Sequence, residues 1–149
     1  MIKRCEIRGS CRSIISKDFY DRCLTGGYRE FKIERINLLD LRAGIWEETD
    51  KGFSVRESRI DATPVYKFLQ GDREQYEEYV RLLKRQRKDA DYSVEKLESL
   101  IESMETHGYQ KELIVVWWGE NSIKDGQHRA AILYHQHGNI EVEVVSIKR

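Results

Sequence analysis

The sequence contains no apolar run that approaches the length of a membrane-spanning helix. Its first residues also lack the apolar core of a signal peptide. Walker A, G-x-G-x-x-G and H-E-x-x-H patterns are missing, which excludes the sites that these motifs mark. We therefore expect a cytoplasmic protein that has no membrane partner and does not use a P-loop, Rossmann or zinc-protease site.

Cysteine is scarce. Cys5, Cys11 and Cys23 are an odd number of thiols crowded into the first part of the chain. They form no Cys-x-x-Cys pair, and no histidine lies near them in sequence. Reduced thiols are therefore expected, rather than a disulfide framework or a zinc site.

Neither sign of charge is in excess, because 26 acidic residues balance 26 basic residues. A balanced charge argues against nucleic acid and anionic membranes as partners. The length of 149 residues suits one domain with a sizeable core. Within that domain we expect residues 1–30 to be a variable N-terminal elaboration, with a short strand at Ile14-Ile15 and a helical turn at residues 19–24. Residues 31–149 are expected to form the core.

The remaining patterns predict both strands and helices. Residues 31–41 indicate a strand, with residues 36–41 as the first core strand, and residues 141–145 alternate as a closing strand. Residues 42–60 are dense in charge and contain Gly44 and Gly52, so we expect a long surface loop there.

Three helices carry start or stop signals. Thr63-Pro64 predicts a cap and a first helical position, and this short helix stops near Gly71. Asp72 caps a second helix, whose basic end either complements the helix dipole or faces a phosphate. Ser93 caps a third helix, which ends at His107-Gly108.

The most informative stretch lies between residues 113 and 134. An apolar run at residues 113–118 is typical of a buried strand, a turn follows, and residues 122–124 indicate the return strand. Asp125-Gly126 then breaks the strand, and a helical pattern begins at once. A glycine is therefore expected where a strand meets the N-terminus of a helix.

Such a junction makes an anion site, because unpaired backbone N–H groups point outward and the helix dipole favours negative charge. Gly126 has no Cβ, so a phosphate can approach its backbone closely. His128 and Arg129 lie in the first helical turn, and the guanidinium of Arg129 matches phosphate oxygens. The alternative is a plain structural corner whose histidine and arginine are solvated.

A second candidate group lies on the predicted third helix. Lys96, Ser99 and Ser103 are three and four residues apart, so they share one edge of that helix. A lysine with two hydroxyls suits phosphate, although the same set is ordinary for a helix surface.

The sequence DGQHRAA at residues 125–131 resembles the signature of the ParB/sulfiredoxin superfamily. ParB-type partition proteins carry G-E-R-R-x-x-A, sulfiredoxins carry G-C-H-R-x-x-A, and free serine kinases carry a D-G-H-H-R type of sequence. The segment KLESLIESM at residues 96–104 resembles the nucleotide-lining helix of sulfiredoxins. The resemblance covers residues 92–147. It implies an α+β fold with a small mixed β-sheet packed with helices, and nucleotide phosphates held by Lys96, Ser99, Ser103, Gly126, Gln127, His128 and Arg129.

Two departures narrow the function that the resemblance implies. Gln127 stands where sulfiredoxin chemistry needs a cysteine thiolate, so reductase activity is not expected. Partition proteins add a helix-turn-helix domain and a dimerisation tail, whereas this sequence ends at Arg149 directly after the last predicted strand. A DNA clamp of ParB type is therefore not expected.

The kinase relatives imply a phosphotransferase that moves phosphate from ATP or ADP, with CTP as an alternative, to a small hydroxyl-bearing acceptor. Glu57 is the expected general base, with Glu48 and Asp61 as rivals, and His128 assists at the phosphate. Asp125 either holds Mg²⁺ or caps the helix. The alternatives are a nucleotide-binding switch that acts through a partner protein and a ParB-like protein that acts on nucleic acid.

Overall fold

A computed structural model describes residues 2–3, 30–88, 91–109 and 113–148. The three cysteines and the elements predicted at residues 14–15 and 19–24 lie outside these ranges. In the described ranges the fold is α+β, with a small mixed sheet packed with helices, as expected. None of the described helices has the length and apolar character needed to cross a membrane.

The strands form a five-stranded sheet and a separate hairpin. The sheet has the order β1-β2-β7-β5-β6, in which β5 and β7 are parallel and all other neighbours are antiparallel. The hairpin consists of β3 and β4. The bounds are β1 Ile2–Lys3, β2 Glu30–Asn37, β3 Arg42–Thr49, β4 Gly52–Arg59, β5 Ile114–Trp117, β6 Ile123–Asp125 and β7 Glu141–Lys148.

Four helices pack with the sheet, and the predicted caps are confirmed. The helices are α1 Pro64–Leu69, α2 Arg73–Gln86, α3 Val94–His107 and α4 Gln127–His137. The side chain of Thr63 accepts a hydrogen bond from the Tyr66 backbone N at 3.2 Å, and Pro64 is the first residue of α1. Asp72 and Ser93 accept equivalent bonds at the starts of α2 and α3. These caps satisfy backbone donors that have no partner inside the helix.

The first core strand lies earlier than predicted. Residues 30–37 form β2, and the predicted strand at residues 36–41 turns at Leu38–Asp40 into a single 3-10 turn. Leu38 and Leu41 are three residues apart and both fully buried. A 3-10 turn places such residues on one side, so it explains an apolar run that lacks strand alternation.

The loop predicted at residues 42–60 was wrong, because these residues form the β3–β4 hairpin and a short 3-10 turn. Ala43 and Ile45 alternate into the core, whereas residues 52–57 of β4 are exposed. The charged side chains lie on the solvent side, where Arg56 Nε donates to Glu47 Oε1 at 2.5 Å across the hairpin. The high density of charged residues in this segment is therefore due to a strand pair with one exposed face, and not to a loop.

The main core lies between the sheet and the helices, and it fixes α4 against β5. Ala130 and Ala131 are fully buried, and they belong to the same apolar cluster as Ile114 and Val116. Two small side chains allow the helix backbone to lie close to the strand. The start of α4 is therefore held firmly at the end of β6.

Candidate functional site

A cleft of about 690 Å³ opens where the corner between β6 and α4 faces α2, the start of α3 and the hairpin. The polar residues that line it come from four separate parts of the chain. Its lining includes Trp46, Tyr76, Tyr79, Gln86, Arg87, Asp91, Tyr92, Lys96, Trp117, Lys124, Asp125, Gly126, Gln127, His128 and Arg129. The predicted corner residues 125–129 thus all lie at one cleft.

A second cavity of about 500 Å³ lies at the other end of the helices, near His107 and His137. These residues are the last of α3 and α4, so two helix C-termini meet there. The dipole of a helix disfavours anions at its C-terminus. The larger cleft is therefore the better candidate for a phosphate ligand.

The corner itself depends on Gly126. Its φ of +101° lies in the left-handed region, and a Cβ there would be 3.1 Å from the backbone Cα of Ile114 and 3.0 Å from Arg129 Nη2. Gly126 caps α4, and its carbonyl accepts a hydrogen bond from the Ala130 N at 3.0 Å. Both the conformation and the close approach of β5 require glycine.

Arg129 braces this corner from inside. The residue is only 8% exposed, and its Nη2 donates to Asp125 Oδ2 at 3.2 Å and to the Leu113 carbonyl at 3.5 Å. The guanidinium also lies against Gly126. Arg129 therefore lines the cleft, but its described contacts tie β5 and β6 to the first turn of α4.

His128 is held between two tyrosines. The Tyr76 hydroxyl lies 3.0 Å from His128 Nε2, and the Tyr92 ring stacks on the imidazole with 5.8 Å between centroids and 14° between planes. Burial, helped by the positive charge of Arg129 and partly opposed by Asp125, lowers the pKa of His128 to about 4. His128 is therefore neutral at pH 7. It can offer a hydrogen bond to a phosphate but no positive charge.

The positive charge of the cleft comes from four other side chains. Arg87, Lys96, Lys124 and Arg129 line it, against the carboxylates of Asp91 and Asp125. Lys96 is ion-paired with Asp91 at the cleft. Among the described lining residues, positive side chains therefore outnumber negative ones by two, although the whole chain is neutral.

Aromatic side chains form another part of the wall. The Trp46 backbone N donates to the Tyr79 hydroxyl at 3.3 Å, which joins the hairpin to α2. Trp117 lies beneath Lys124, with the Nζ 5.3 Å from the ring centroid. Flat apolar surfaces of this kind suit the stacking of a ring.

The three residues predicted as a phosphate-binding group on α3 do not all lie at the cleft. Lys96, Leu97 and Leu100 line the cleft. Ser99 and Ser103 are exposed and fall outside the lining residues of the described chain. Around the axis of α3, the side chain of Ser99 projects roughly 100° away from the face that lines the cleft. Ser103 lies roughly 10 Å along the helix beyond Lys96.

The predicted base lies at the edge of this site. Glu57 is exposed, and its Oε1 accepts a hydrogen bond from Ser122 Oγ at 2.9 Å. Val55, two residues earlier on β4, lines the cleft, as does Ile123, which follows Ser122. Glu57 therefore lies at the rim and not in the wall. The rivals are held elsewhere, since Glu48 pairs with Arg85 at 2.7 Å and Asp61 with Arg59 at 2.9 Å.

The described residues do not fit a magnesium ion held by the protein. They contain no group of three or more His, Cys, Asp or Glu side chains arranged for a metal. The Asp125 carboxylate accepts a hydrogen bond from Arg129. Mg²⁺ at this site would have to be held largely by the phosphates of a ligand.

In comparisons with known proteins, no family model, curated sequence or solved structure matches this chain. Membership of the ParB/sulfiredoxin superfamily therefore stays a prediction from the motif. The functional argument rests on the geometry of the cleft.

Sequence reasoning missed the parts of the cleft that come from the tyrosines of α2, from the hairpin and from the segment before α3. Tyr76 and Tyr79 lie on α2, where Tyr76 is 1% exposed and contacts His128. Trp46 belongs to the segment that was predicted as a loop, residues 42–60. Tyrosines on a buried helix face were the available signal, because a buried hydroxyl needs a partner.

Proposed function

We propose that this chain binds a nucleoside di- or triphosphate in the cleft, as a domain of ParB/sulfiredoxin type. One observation carries the proposal: a glycine-capped helix N-terminus, an excess of cations and a set of aromatic side chains line the same cleft. Each feature alone is common. Their coincidence matches a ligand that has phosphates at one end and a flat ring at the other.

The phosphates belong at the Gly126 corner in this proposal. The first backbone N–H groups of α4 have no partner within the helix, and the helix dipole adds positive potential there. Lys96 lies at the same cleft and can exchange Asp91 for a phosphate oxygen. The Gln127 side chain adds a buried Nε2 that lacks a hydrogen-bond acceptor among the described residues.

The ring of the ligand belongs along the aromatic wall of the cleft. Trp46 and Tyr79 line it and are joined by the hydrogen bond between the hairpin and α2. Stacking on such side chains tolerates different bases. The wall therefore supports a nucleotide as the ligand class without selecting one base.

A thermal-shift screen of nucleotides, with and without Mg²⁺, tests the proposal. A nucleotide at about a hundred times its dissociation constant should stabilise the fold by roughly 2.7 kcal/mol. Lys96→Ala should weaken binding about ten- to a hundredfold, because it removes a charge-assisted contact. Ser99→Ala is the matched control on the same helix and should bind normally. If no nucleotide shifts the unfolding temperature at millimolar concentration, the proposal is wrong.

Phosphotransfer to a small hydroxyl-bearing acceptor is the second candidate function, and the position of Glu57 favours it. The bond from Ser122 keeps this carboxylate beside the strand that leads into the corner. In the reaction, the acceptor oxygen would bond to the terminal phosphorus as the bridging P–O bond breaks, and Glu57 would take the hydroxyl proton. Release of ADP or AMP that depends on an added acceptor would support it. Tight binding without turnover would support a nucleotide switch instead.

A further inference from the structure

We infer that Tyr76 is a positioning residue that holds His128 as the neutral tautomer protonated on Nδ1, so that the imidazole meets the ligand as an uncharged N–H donor. The role of His128 as a donor to the ligand rests on the proposed function, whereas the assignment of its tautomer does not. Tyr76 lies on α2 and His128 on α4, so this contact joins two separate walls of the cleft.

The direction of the hydrogen bond follows from the burial of Tyr76. Tyr76 is 1% exposed. In the described part of the chain, the recorded partner of its hydroxyl is His128 Nε2, at 3.0 Å. If Nε2 carried a proton and donated it, the tyrosine proton would be buried without an acceptor, which costs free energy. Burial raises the pKa of Tyr76, so the hydroxyl keeps its proton. Tyr76 therefore donates to Nε2, and the proton of the neutral ring is on Nδ1.

The surrounding charges do not favour an imidazolium. On the same corner Arg129 repels it, and the Asp125 carboxylate is already bonded to Arg129. From the segment before α3, Tyr92 stacks on the ring, while Asp91 is paired with Lys96. From β6, Lys124 adds another positive charge to the cleft, and the Tyr79 hydroxyl of α2 accepts from the hairpin. The Asp125 carboxylate favours the charged ring, but its effect is smaller than those of burial and of Arg129, so the ring stays neutral.

The consequence concerns the pH dependence of binding. A histidine with an ordinary pKa would gain charge on acidification and bind an anion more tightly. Burial and the charge of Arg129 keep His128 neutral, and the hydrogen bond from Tyr76 adds to the stability of the neutral form. Tyr76→Phe removes that bond and should raise the pKa of His128. The variant should then bind a phosphate ligand more tightly at low pH, whereas the wild type should not.

The tautomer can be measured on the full chain without ligand, by long-range proton–nitrogen NMR correlation at pH 7. His128→Gln identifies the signal, and Tyr79→Phe is the matched control on α2. We expect the Nδ1–H pattern in the wild type and in Tyr79→Phe, and a mixture or the Nε2–H pattern in Tyr76→Phe. An Nε2–H or doubly protonated ring in the wild type would overturn the inference without any use of the variants.

A second arm measures the affinity for ADP at pH 5.5 and pH 7.5. The ratio of Tyr76→Phe to wild-type affinity cancels the titration of ADP itself. That ratio should rise at the lower pH, because a larger fraction of His128 carries a proton in the variant than in the wild type. A constant ratio would overturn the role of His128 at the ligand. Absence of ADP binding, with the Nδ1–H pattern intact, would count against the nucleotide and leave the Tyr76–His128 assignment standing.

Discussion

Ser122 Oγ donates a hydrogen bond to Glu57 Oε1 at 2.9 Å, and this bond joins the outer strand of the hairpin to the strand that enters the glycine corner. The hairpin and β6 also meet at Arg42, whose backbone N donates to the Asn121 carbonyl at 2.9 Å. The exposed carboxylate at the rim therefore lies beside the cleft, where it is bonded to Ser122.

Glu57→Gln tests whether that carboxylate acts as a base. If the chain transfers phosphate, turnover should fall about a hundred- to ten-thousandfold, because general-base assistance is lost. Nucleotide affinity should change less than about twofold, since the proposed phosphate contacts come from Lys96 and the corner. Single-turnover kinetics with an acceptor would measure the rate of phosphate transfer, and titration with nucleotide would measure the affinity. Glu48→Gln, which alters a carboxylate bonded to Arg85, is the control, and an equal loss there would remove Glu57 from the mechanism.

Gly126→Ala should destabilise the fold and open the corner. A non-glycine residue at this φ costs about 1–3 kcal/mol, and the backbone of Ile114 stands too close for the new Cβ to be accommodated by a side-chain rotation. Denaturant unfolding would measure the loss. Gly52→Ala separates the two causes, because Gly52 has a φ of +107° but no atom near its Cβ position. Equal losses in both variants would mean that the close approach to β5 contributes nothing.

Arg129→Ala should lower the free energy of unfolding by about 3 kcal/mol, even without ligand. It removes a mostly buried guanidinium and leaves Asp125 and the Leu113 carbonyl without this donor. Arg73→Ala alters another arginine that pairs with a carboxylate four residues away, but that pair is exposed and should matter little. Urea unfolding of both variants checks this difference. An unchanged midpoint for Arg129→Ala would show that the guanidinium does not brace the corner.

His128 should make the fold less stable in acid. Its pKa is about 4 in the folded state, below the ordinary value of 6.5, so the unfolded chain binds more protons between these values. Stability from this group is therefore fully present above about pH 6.5 and is lost as the pH falls towards 4, by about 3 kcal/mol in total. The difference in unfolding free energy between wild type and His128→Gln, followed from pH 7 to pH 4, isolates this contribution.

The corner between β5 and α4 could be predicted because its signals are local. An apolar strand, a turn, a glycine and two alanines follow one another within residues 113–131, and each has a direct structural cause. The hairpin could not be predicted in the same way, because residues 52–57 of β4 are exposed and their apolar alternation is limited to Phe53 and Val55. The contact between Tyr76 and His128 depends on how α2 packs near α4. That packing is set by the whole core and leaves no local pattern.

The position of β7 has a consequence for how the chain is made. This strand pairs with β2 on one side and with β5 on the other, although both precede it in sequence. A growing chain therefore carries two strand edges without their central partner until residues 141–148 have left the ribosome. At about 5–20 residues per second, that interval lasts seconds, and open edges can pair with other chains during it. Assembly of the five-stranded sheet must wait for the strand that is synthesised last among its members.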